Sequence, residues 1–202
     1  MKPINNYERY QAYDNNTSQL PVGGYVFRIS AVRYEQGQNG SSDRIVVAFD
    51  VAEGEYAGFF KKKFDADQNE DKKWKGTTTL YIPKEDGSEQ DNWTIRKLKT
   101  FTIALEDSNP NYKWDWDENK WKGLMIGGVF GEIYTMINGK QIKYNAFKTA
   151  CSVGNIHSGS FKIPRPQYKN GATPGGAAAN NPQADSEGFM NISSDNLEDV
   201  PF

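Results

Sequence analysis

The sequence predicts a mainly β domain with one helix between two groups of strands, followed by a disordered C-terminal tail. Several short segments between residues 22 and 147 are rich in β-branched and aromatic side chains, which favour strands. One segment, residues 91–105, instead carries apolar side chains at helical intervals. Residues 170–196 consist largely of Gly, Ala, Asn, Pro and Ser, which bury too little apolar surface to offset the entropy lost on ordering.

Six segments have the composition or the alternation typical of strands, namely residues 22–34, 43–52, 56–64, 77–82, 128–137 and 141–147. We expect Gly58 to form a bulge or a bend in the third of them, and Pro83 to end the fourth. The last two flank Asn138-Gly139, the dipeptide that favours a two-residue type I′ hairpin.

The segment from Asp91 to Leu105 predicts a helix of about four turns. Its first turn is expected to be capped by Asp91 or Asn92. The residues predicted to form its buried face recur every three or four positions, and they are Ile95, Leu98, Phe101, Thr102 and Leu105.

These elements together predict a small β-barrel of the oligonucleotide-binding (OB) type, because its strands twist, its glycines lie at bends and a helix separates its strand groups. A two-sheet β-sandwich is the close alternative. We find no internal repeat. The predicted domain spans residues 1–169, and residues 170–202 are predicted to form a flexible linker and an interaction tip.

The sequence lacks the usual signatures of catalysis, with no G-x-x-x-x-G-K-[ST] loop, no G-x-S-x-G elbow and no H-E-x-x-H motif. One cysteine, Cys151, and one histidine, His157, cannot form an intramolecular disulfide or a Cys/His zinc site. Acidic clusters at residues 65–71 and 115–118 lie in hydrophilic segments, where solvated charge is the ordinary interpretation. We therefore expect a protein that is not an enzyme and that needs neither a metal nor a cofactor.

The composition also favours a cytoplasmic protein. Hydrophobic residues make up 37% of the chain, and no stretch approaches the roughly 18 consecutive apolar residues of a membrane span. The first residues lack the apolar core of a secretory signal.

Aromatic and basic residues occur together in two neighbouring segments. Residues 59–64 are FFKKKF, and KKWKG then places Trp74 among lysines. Single-stranded nucleic acid needs this combination, because exposed bases stack on aromatic rings while the adjacent phosphates attract cations. For each aromatic side chain the alternative is a place in the core. The predicted DNA-contacting residues, which include two tryptophans of a polar loop, are Arg28, Arg33, Phe59, Phe60, Lys61, Lys62, Lys63, Phe64, Lys72, Lys73, Trp74, Trp116 and Trp121.

Charge is divided unevenly between the predicted domain and the predicted tail. Residues 1–169 carry a net charge of +3, whereas the tail carries five acids and no base, a net charge of −5. The last residues, LEDVPF, are apolar and acidic, which is typical of a short peptide ligand. The predicted partner-binding residues are Asp195, Glu198, Asp199, Val200, Pro201 and Phe202.

Three segments resemble phage-encoded single-stranded DNA-binding proteins, and together they cover most of residues 22–164. VAEGEYAGFFKKKF resembles a strand of that family in which Gly-Glu-Tyr is followed by an aromatic and basic run. The residues that carry this resemblance are Gly54, Glu55, Tyr56, Gly58 and Phe59. WKGLMIGGVFGEIYTMINGKQIKYN resembles the closing hairpin, through Trp121, Gly123, Gly128, Gly131, Glu132 and Tyr134. NIHSGSFKIP is similar to the last ordered segment.

The C-terminus resembles that of bacterial single-stranded DNA-binding proteins, in which a flexible tether ends in acids followed by Pro-Phe. The resemblance implies that this tip docks on replication, recombination and repair proteins. It also implies a protein that coats single strands without sequence preference and acts in the host cytoplasm if it is phage-encoded. The alternatives are a carbohydrate-binding β-sandwich and a nuclease that uses the acids of residues 65–71.

Overall fold

The computed structural model describes residues 19–38 and 40–175. Its strands are β1 (Gly23–Glu35), β2 (Arg44–Val51), β3 (Thr77–Tyr81), β4 (Met125–Ile137), β5 (Lys140–Cys151) and β6 (Gln167–Lys169). Its helices are α1 (Phe59–Ala66), α2 (Glu89–Ser108) and α3 (Val153–His157), with a short 3-10 helix at Glu118–Trp121. The prediction of a mainly β fold with a long helix between strand groups is confirmed.

The strands form one sheet in the order β3-β2-β1-β4-β5, and each of these neighbouring pairs is antiparallel. Along one edge of β4, β1 pairs as far as Phe130, and β6 then pairs in parallel from Ile133 to Thr135. The short strand β6 thus continues the edge of β4 where β1 ends.

The expected closed barrel is not observed. Strands β3 and β5 lie at opposite ends of the pairing order, and in the described part of the chain no hydrogen-bonded ladder joins them. Helix α2 packs against both strands instead. The strands belong to a single sheet, which also gives no support to the two-sheet sandwich.

The strand expected at residues 56–64 is wrong, because helix α1 begins at Phe59. Gly58 adopts a left-handed conformation, with φ of 71°, and turns the chain into the helix. The Asp50 carboxylate of β2 accepts the backbone N–H groups of Phe60 and Lys61, at 2.9 and 3.1 Å. The cap of this helix therefore comes from a different element.

Helix α2 is longer than predicted and is capped by Ser88 rather than by Asp91 or Asn92. The Ser88 hydroxyl accepts the backbone N–H of Asp91 at 3.1 Å. The Asp91 carboxylate is buried and accepts the N–H of Lys84 at 2.6 Å. Four of the five predicted core positions are buried, whereas Ile95 is exposed.

The core is aromatic and lies between the sheet and α2. Phe27 and Phe49, from β1 and β2, pack with ring centroids 4.6 Å apart, and both are fully buried. From the helix side, Phe101 packs against Trp121 with ring centroids at 5.2 Å. Phe101 also packs against Phe147 of β5, with ring centroids 6.5 Å apart, and so joins α2 to the sheet.

Two turn regions test the sequence predictions directly. Asn138 and Gly139 both have positive φ, 49° and 73°, which confirms the type I′ hairpin between β4 and β5. Residues 170–175, which the sequence predicts to be linker, instead pack on the domain in part, because the N–H of Thr173 donates to the Gln141 side chain at 3.0 Å and Ala172 is buried. Among the described residues, no helix combines the length and apolarity needed to cross a membrane.

Candidate nucleic-acid interface

The structure brings together five of the aromatic and basic side chains that follow β2, and we call them the α1 cluster: Lys63, Phe64, Lys72, Trp74 and Lys75. Phe64 and Trp74 are both half-buried, with ring centroids 5.7 Å apart and a tilt of 49°. The Trp74 indole N–H donates to the backbone oxygens of Phe49 and Gly76, both at 3.1 Å. The Trp74 ring is therefore held in place by its polar edge.

Two lysines of the cluster lie over aromatic rings of α1. The Lys72 Nζ lies 4.7 Å from the centroid of the Phe64 ring, and the Lys63 Nζ lies 5.6 Å from that of Phe59. Burial lowers the pKa of Lys63, and the nearby charge of Lys75 lowers it further. The ammonium groups of Lys63 and Lys75 are therefore close enough to repel each other, which disfavours the charged form of Lys63.

The other predicted lysines near α1 lie around this cluster. Lys61 forms an ion pair with Asp65 one turn along the helix, with Nζ and Oδ2 2.6 Å apart. Lys62 and Lys73 are exposed. They add positive charge at the surface without being packed against the rings.

The two arginines predicted on β1 lie apart from each other. The Arg28 guanidinium donates to the backbone oxygen of Gly123 at 3.2 Å. Arg33 is five residues further along the strand, about 16 Å away, and forms an ion pair with Glu35. Arg44 also pairs with Glu35 and lowers the pKa of its carboxyl group. The charge of Arg33 is therefore already compensated.

Three aromatic side chains predicted to contact DNA belong to the core, which corrects that prediction. Phe59 and Phe60 lie in the first turn of α1 on the side that packs on the sheet, and they are only 8% and 7% exposed. Trp121 is completely buried, and its indole N–H donates to the Tyr112 hydroxyl at 2.8 Å. None of the three offers a ring face to a base.

Trp116 is the opposite case, with 79% of its surface exposed. Its ring packs on Trp114 at a centroid distance of 5.6 Å. Its neighbours are acidic, since Asp115 and Asp117 both contact the ammonium group of Lys120. This exposed ring therefore lies in a loop where the nearby lysine is already paired.

A second candidate surface, which the sequence did not indicate, is a cleft of about 160 Å³ between α2, β3 and β5. We call it the α2 cleft, and the residues relevant to ligand binding are Thr78, Thr79, Trp93, Arg96, Lys97 and Lys148. It occupies the gap where β3 and β5 fail to pair.

Lysines dominate the charge of the α2 cleft. The Lys97 Nζ lies over the Trp93 ring, 4.1 Å from its centroid. Lys148 donates a hydrogen bond to the Gln167 side chain on β6, and Lys169 lies close by. Burial, followed by the charges of Lys169 and Lys97, lowers the pKa of Lys148 to about 8.

The sequence contained only part of the signal for this cleft. Trp93, Lys97 and Thr100 recur at intervals of four and three, so the sequence predicts that they share one face of the helix. Lys148 is the extra residue of a β-bulge, since Thr149 pairs with Val129 and Phe147 with Phe130. Such a bulge is visible only once the register of the sheet is known.

The groups considered for catalysis do not converge. Asp65 pairs with Lys61, and the Asp67 carboxylate accepts the N–H of Asn69 at 3.0 Å. His157 forms a hydrogen bond with Glu53, and burial raises the pKa of the half-buried Cys151. Within residues 19–38 and 40–175, no group of three His, Cys, Asp or Glu side chains could hold a metal ion.

The predicted partner-binding residues Asp195, Glu198, Asp199, Val200, Pro201 and Phe202 lie outside the described residues. No protein-family model and no curated protein matches this chain.

Proposed function

We propose that this chain is a non-enzymatic protein that binds single-stranded DNA without sequence preference, in the replication, recombination or repair of a phage or mobile element. The observation that carries the proposal is the α1 cluster, in which the half-buried rings of Phe64 and Trp74 pack together and Lys72 lies over Phe64. Lys63 and Lys75 add two further positive charges in the same segment. Bases stack on such rings for about 1–3 kcal/mol each, whatever their identity, while lysines contact the phosphates.

The fold supports the same proposal. An OB fold is a five-stranded, partly open Greek-key barrel that binds oligonucleotides on one face. The order β3-β2-β1-β4-β5 with α2 between β3 and β4 agrees with such a barrel, opened between β3 and β5. We therefore infer an OB-like fold whose opening is occupied by α2.

The charge distribution favours single strands over duplexes. Residues 1–169 carry only +3, whereas duplex binding usually relies on a strongly basic surface. Two local concentrations of lysine, each beside an aromatic ring, suit a flexible strand that can expose its bases.

The last residues are proposed to recruit partner proteins of replication and repair. A flexible acidic tether lets a DNA-coating protein hold other enzymes nearby without fixing their geometry. Its five negative charges would also compete with DNA for the basic surfaces. Removing residues 176–202 is therefore expected to tighten DNA binding at low salt, and unchanged affinity would contradict this competition.

The central test is a titration of tryptophan fluorescence with an unstructured oligo-dT and with a matched duplex, each at low and high salt. We expect quenching by the single strand only, and we expect it to weaken as salt rises because phosphate contacts release counterions. Lys72→Gln should weaken binding, whereas the matched control Lys99→Gln, also at an exposed lysine, should not. Absence of binding at low salt would reject the proposal. If DNA does not bind and a soluble glycan raises the unfolding temperature of the protein, a carbohydrate-binding function is favoured instead.

A further inference from the structure

The α2 cleft concentrates positive charge without a compensating acid. Arg96 and Lys97 reach it from α2, and Lys148 reaches it from β5. None of the side chains that line the cleft is a carboxylate. In residues 19–38 and 40–175, no salt bridge joins Arg96, Lys97, Lys148 or Lys169 to an acid.

Such an arrangement is unfavourable unless an anion occupies it. The hydrogen bond from Lys148 to Gln167 fixes the ammonium group near β6, where Lys169 adds a second charge. The side chains of Lys148 and Lys169 are both partly buried, which weakens their hydration. A phosphate among these lysines would restore favourable interactions for each of them.

The cleft also offers groups that suit the rest of a nucleotide. Trp93 is 45% exposed, and the ammonium group of Lys97 lies over its ring. An exposed ring beside a cation is the pair that a base and its adjacent phosphate require. Thr78 and Thr79 of β3 also line the same cleft.

Strand β3 connects the two surfaces. Trp74 of the α1 cluster precedes β3 by three residues, and Thr79 of the cleft lies within it. Five residues span at most about 18 Å. A bound single strand that begins on Trp74 can therefore extend along β3 into the cleft.

We propose that the α2 cleft is a second contact site for the bound single strand, in which Lys97, Lys148 and Lys169 hold phosphate and Trp93 stacks on a base. The identity of the ligand rests on the proposed function, whereas the anion site itself rests on the geometry of the cleft. The site lengthens the footprint of the protein from the α1 cluster across β3.

The test compares short and long oligo-dT, of about 4 and about 16 nucleotides, on the full chain. Affinities are measured by fluorescence anisotropy across a range of salt concentrations for Lys97→Gln, Lys148→Gln and the control Lys99→Gln. For the long strand, each cleft variant should reduce the slope of log affinity against log salt by about 0.7. The short strand, held by the α1 cluster, should bind all variants equally.

Two further variants separate charge from structure. Lys148→Arg keeps the positive charge and should restore most of the affinity for the long strand. Trp93→Ala should weaken binding of the long strand about tenfold. If Lys148→Arg behaves like Lys148→Gln, the phosphate contact is excluded.

A titration with tripolyphosphate, measured by calorimetry, distinguishes failure of this inference from failure of the proposed function. Tripolyphosphate should bind the wild-type chain and lose affinity in Lys148→Gln. If the long strand binds and every cleft variant behaves like Lys99→Gln, the cleft inference is wrong and the proposed function stands. If no DNA binds but the affinity for tripolyphosphate still depends on Lys148, the anion site stands without the proposed function. If neither ligand binds, both fail.

Discussion

The α1 cluster and the α2 cleft use the same residue types but are built in different ways. The α1 cluster comes from one short stretch of chain, residues 63–75, and its one tertiary hydrogen bond described above joins the Trp74 indole N–H to the Phe49 backbone of β2. The α2 cleft is assembled from α2, β3 and β5, with Lys169 added from β6. The residues of the proposed stacking surface are therefore neighbours in sequence, whereas the proposed phosphate site depends on tertiary structure.

Their electrostatics differ as well. In the α1 cluster the lysines lie beside the Phe59 and Phe64 rings, which partly offset their charge. In the α2 cleft only Lys97 has such a ring, and Lys148 is left between two like charges. We expect the first surface to contribute mainly stacking and the second mainly salt-dependent affinity.

The largest expected effect is the loss of stacking in Phe64→Ala. Removing this ring should weaken binding of both short and long oligo-dT by about 1–3 kcal/mol. Phe64→Tyr, which keeps the ring, is the matched control and should bind nearly as well as the wild type. Anisotropy titrations measure both, with thermal unfolding as a check that the fold is intact. Equal affinity of the alanine and tyrosine variants would remove Phe64 from the interface.

The next effect concerns the Asp50 carboxylate of β2, which caps the N-terminus of α1. Asp50→Ala leaves the N–H groups of Phe60 and Lys61 without their acceptor, and should lower the free energy of unfolding by about 1–2 kcal/mol. Because α1 carries Lys63 and Phe64, short-strand affinity should fall as well, while tripolyphosphate binding in the α2 cleft should not change.

The matched control for Asp50→Ala is Ser152→Ala. Ser152 caps α3 through a hydrogen bond from the N–H of Asn155, at 3.1 Å, and α3 belongs to neither surface. Urea unfolding should report a loss of stability in both variants, but only Asp50→Ala should change binding of the short strand. If Ser152→Ala weakens the short strand equally, the effect is one of global stability.

The sequence was sufficient where structure is determined locally. The Asn138-Gly139 turn and the buried face of α2 follow from turn chemistry and helical period, and both are observed. Helix α1 could not be predicted, because its cap, Asp50, lies on a strand that precedes it by eight residues. Lys148 could not be placed, because the bulge that sets its position depends on the register of β4 and β5.

A smaller effect follows from the titration of Lys148. Its ammonium group faces Lys97 and Arg96 from α2 and Lys169 from β6, and its pKa is about 8. As pH rises through that value the free protein loses this charge, so affinity for the long strand should fall more in the wild type than in Lys148→Arg. The measurement is an anisotropy titration of both proteins at constant ionic strength on either side of the pKa.

The lowered pKa of Lys148 also predicts the direction in which the stability of the free protein changes with pH. The unfolded chain keeps the ordinary pKa of 10.5 and binds more protons than the folded chain between about 8 and 10.5. The free energy of unfolding of the free protein should therefore rise with pH across that window. Lys148→Gln should stabilise the free protein at neutral pH while weakening its binding of the long strand. A destabilised glutamine variant would contradict the interpretation of an uncompensated charge.

The smallest effect is expected at Trp116, although it is the most exposed of the large hydrophobic side chains described. Its loop holds Asp115 and Asp117, which already pair with Lys120 and would repel phosphate. Trp116→Ala should therefore change the free energy of oligo-dT binding by no more than about 0.5 kcal/mol. The quenched fraction of the fluorescence should rise, because an emitter far from DNA has been removed. A loss of affinity as large as that of Phe64→Ala would mean that an exposed ring binds bases without a neighbouring unpaired cation. The lysines beside the rings of the α1 cluster and the α2 cleft would then not be needed for stacking.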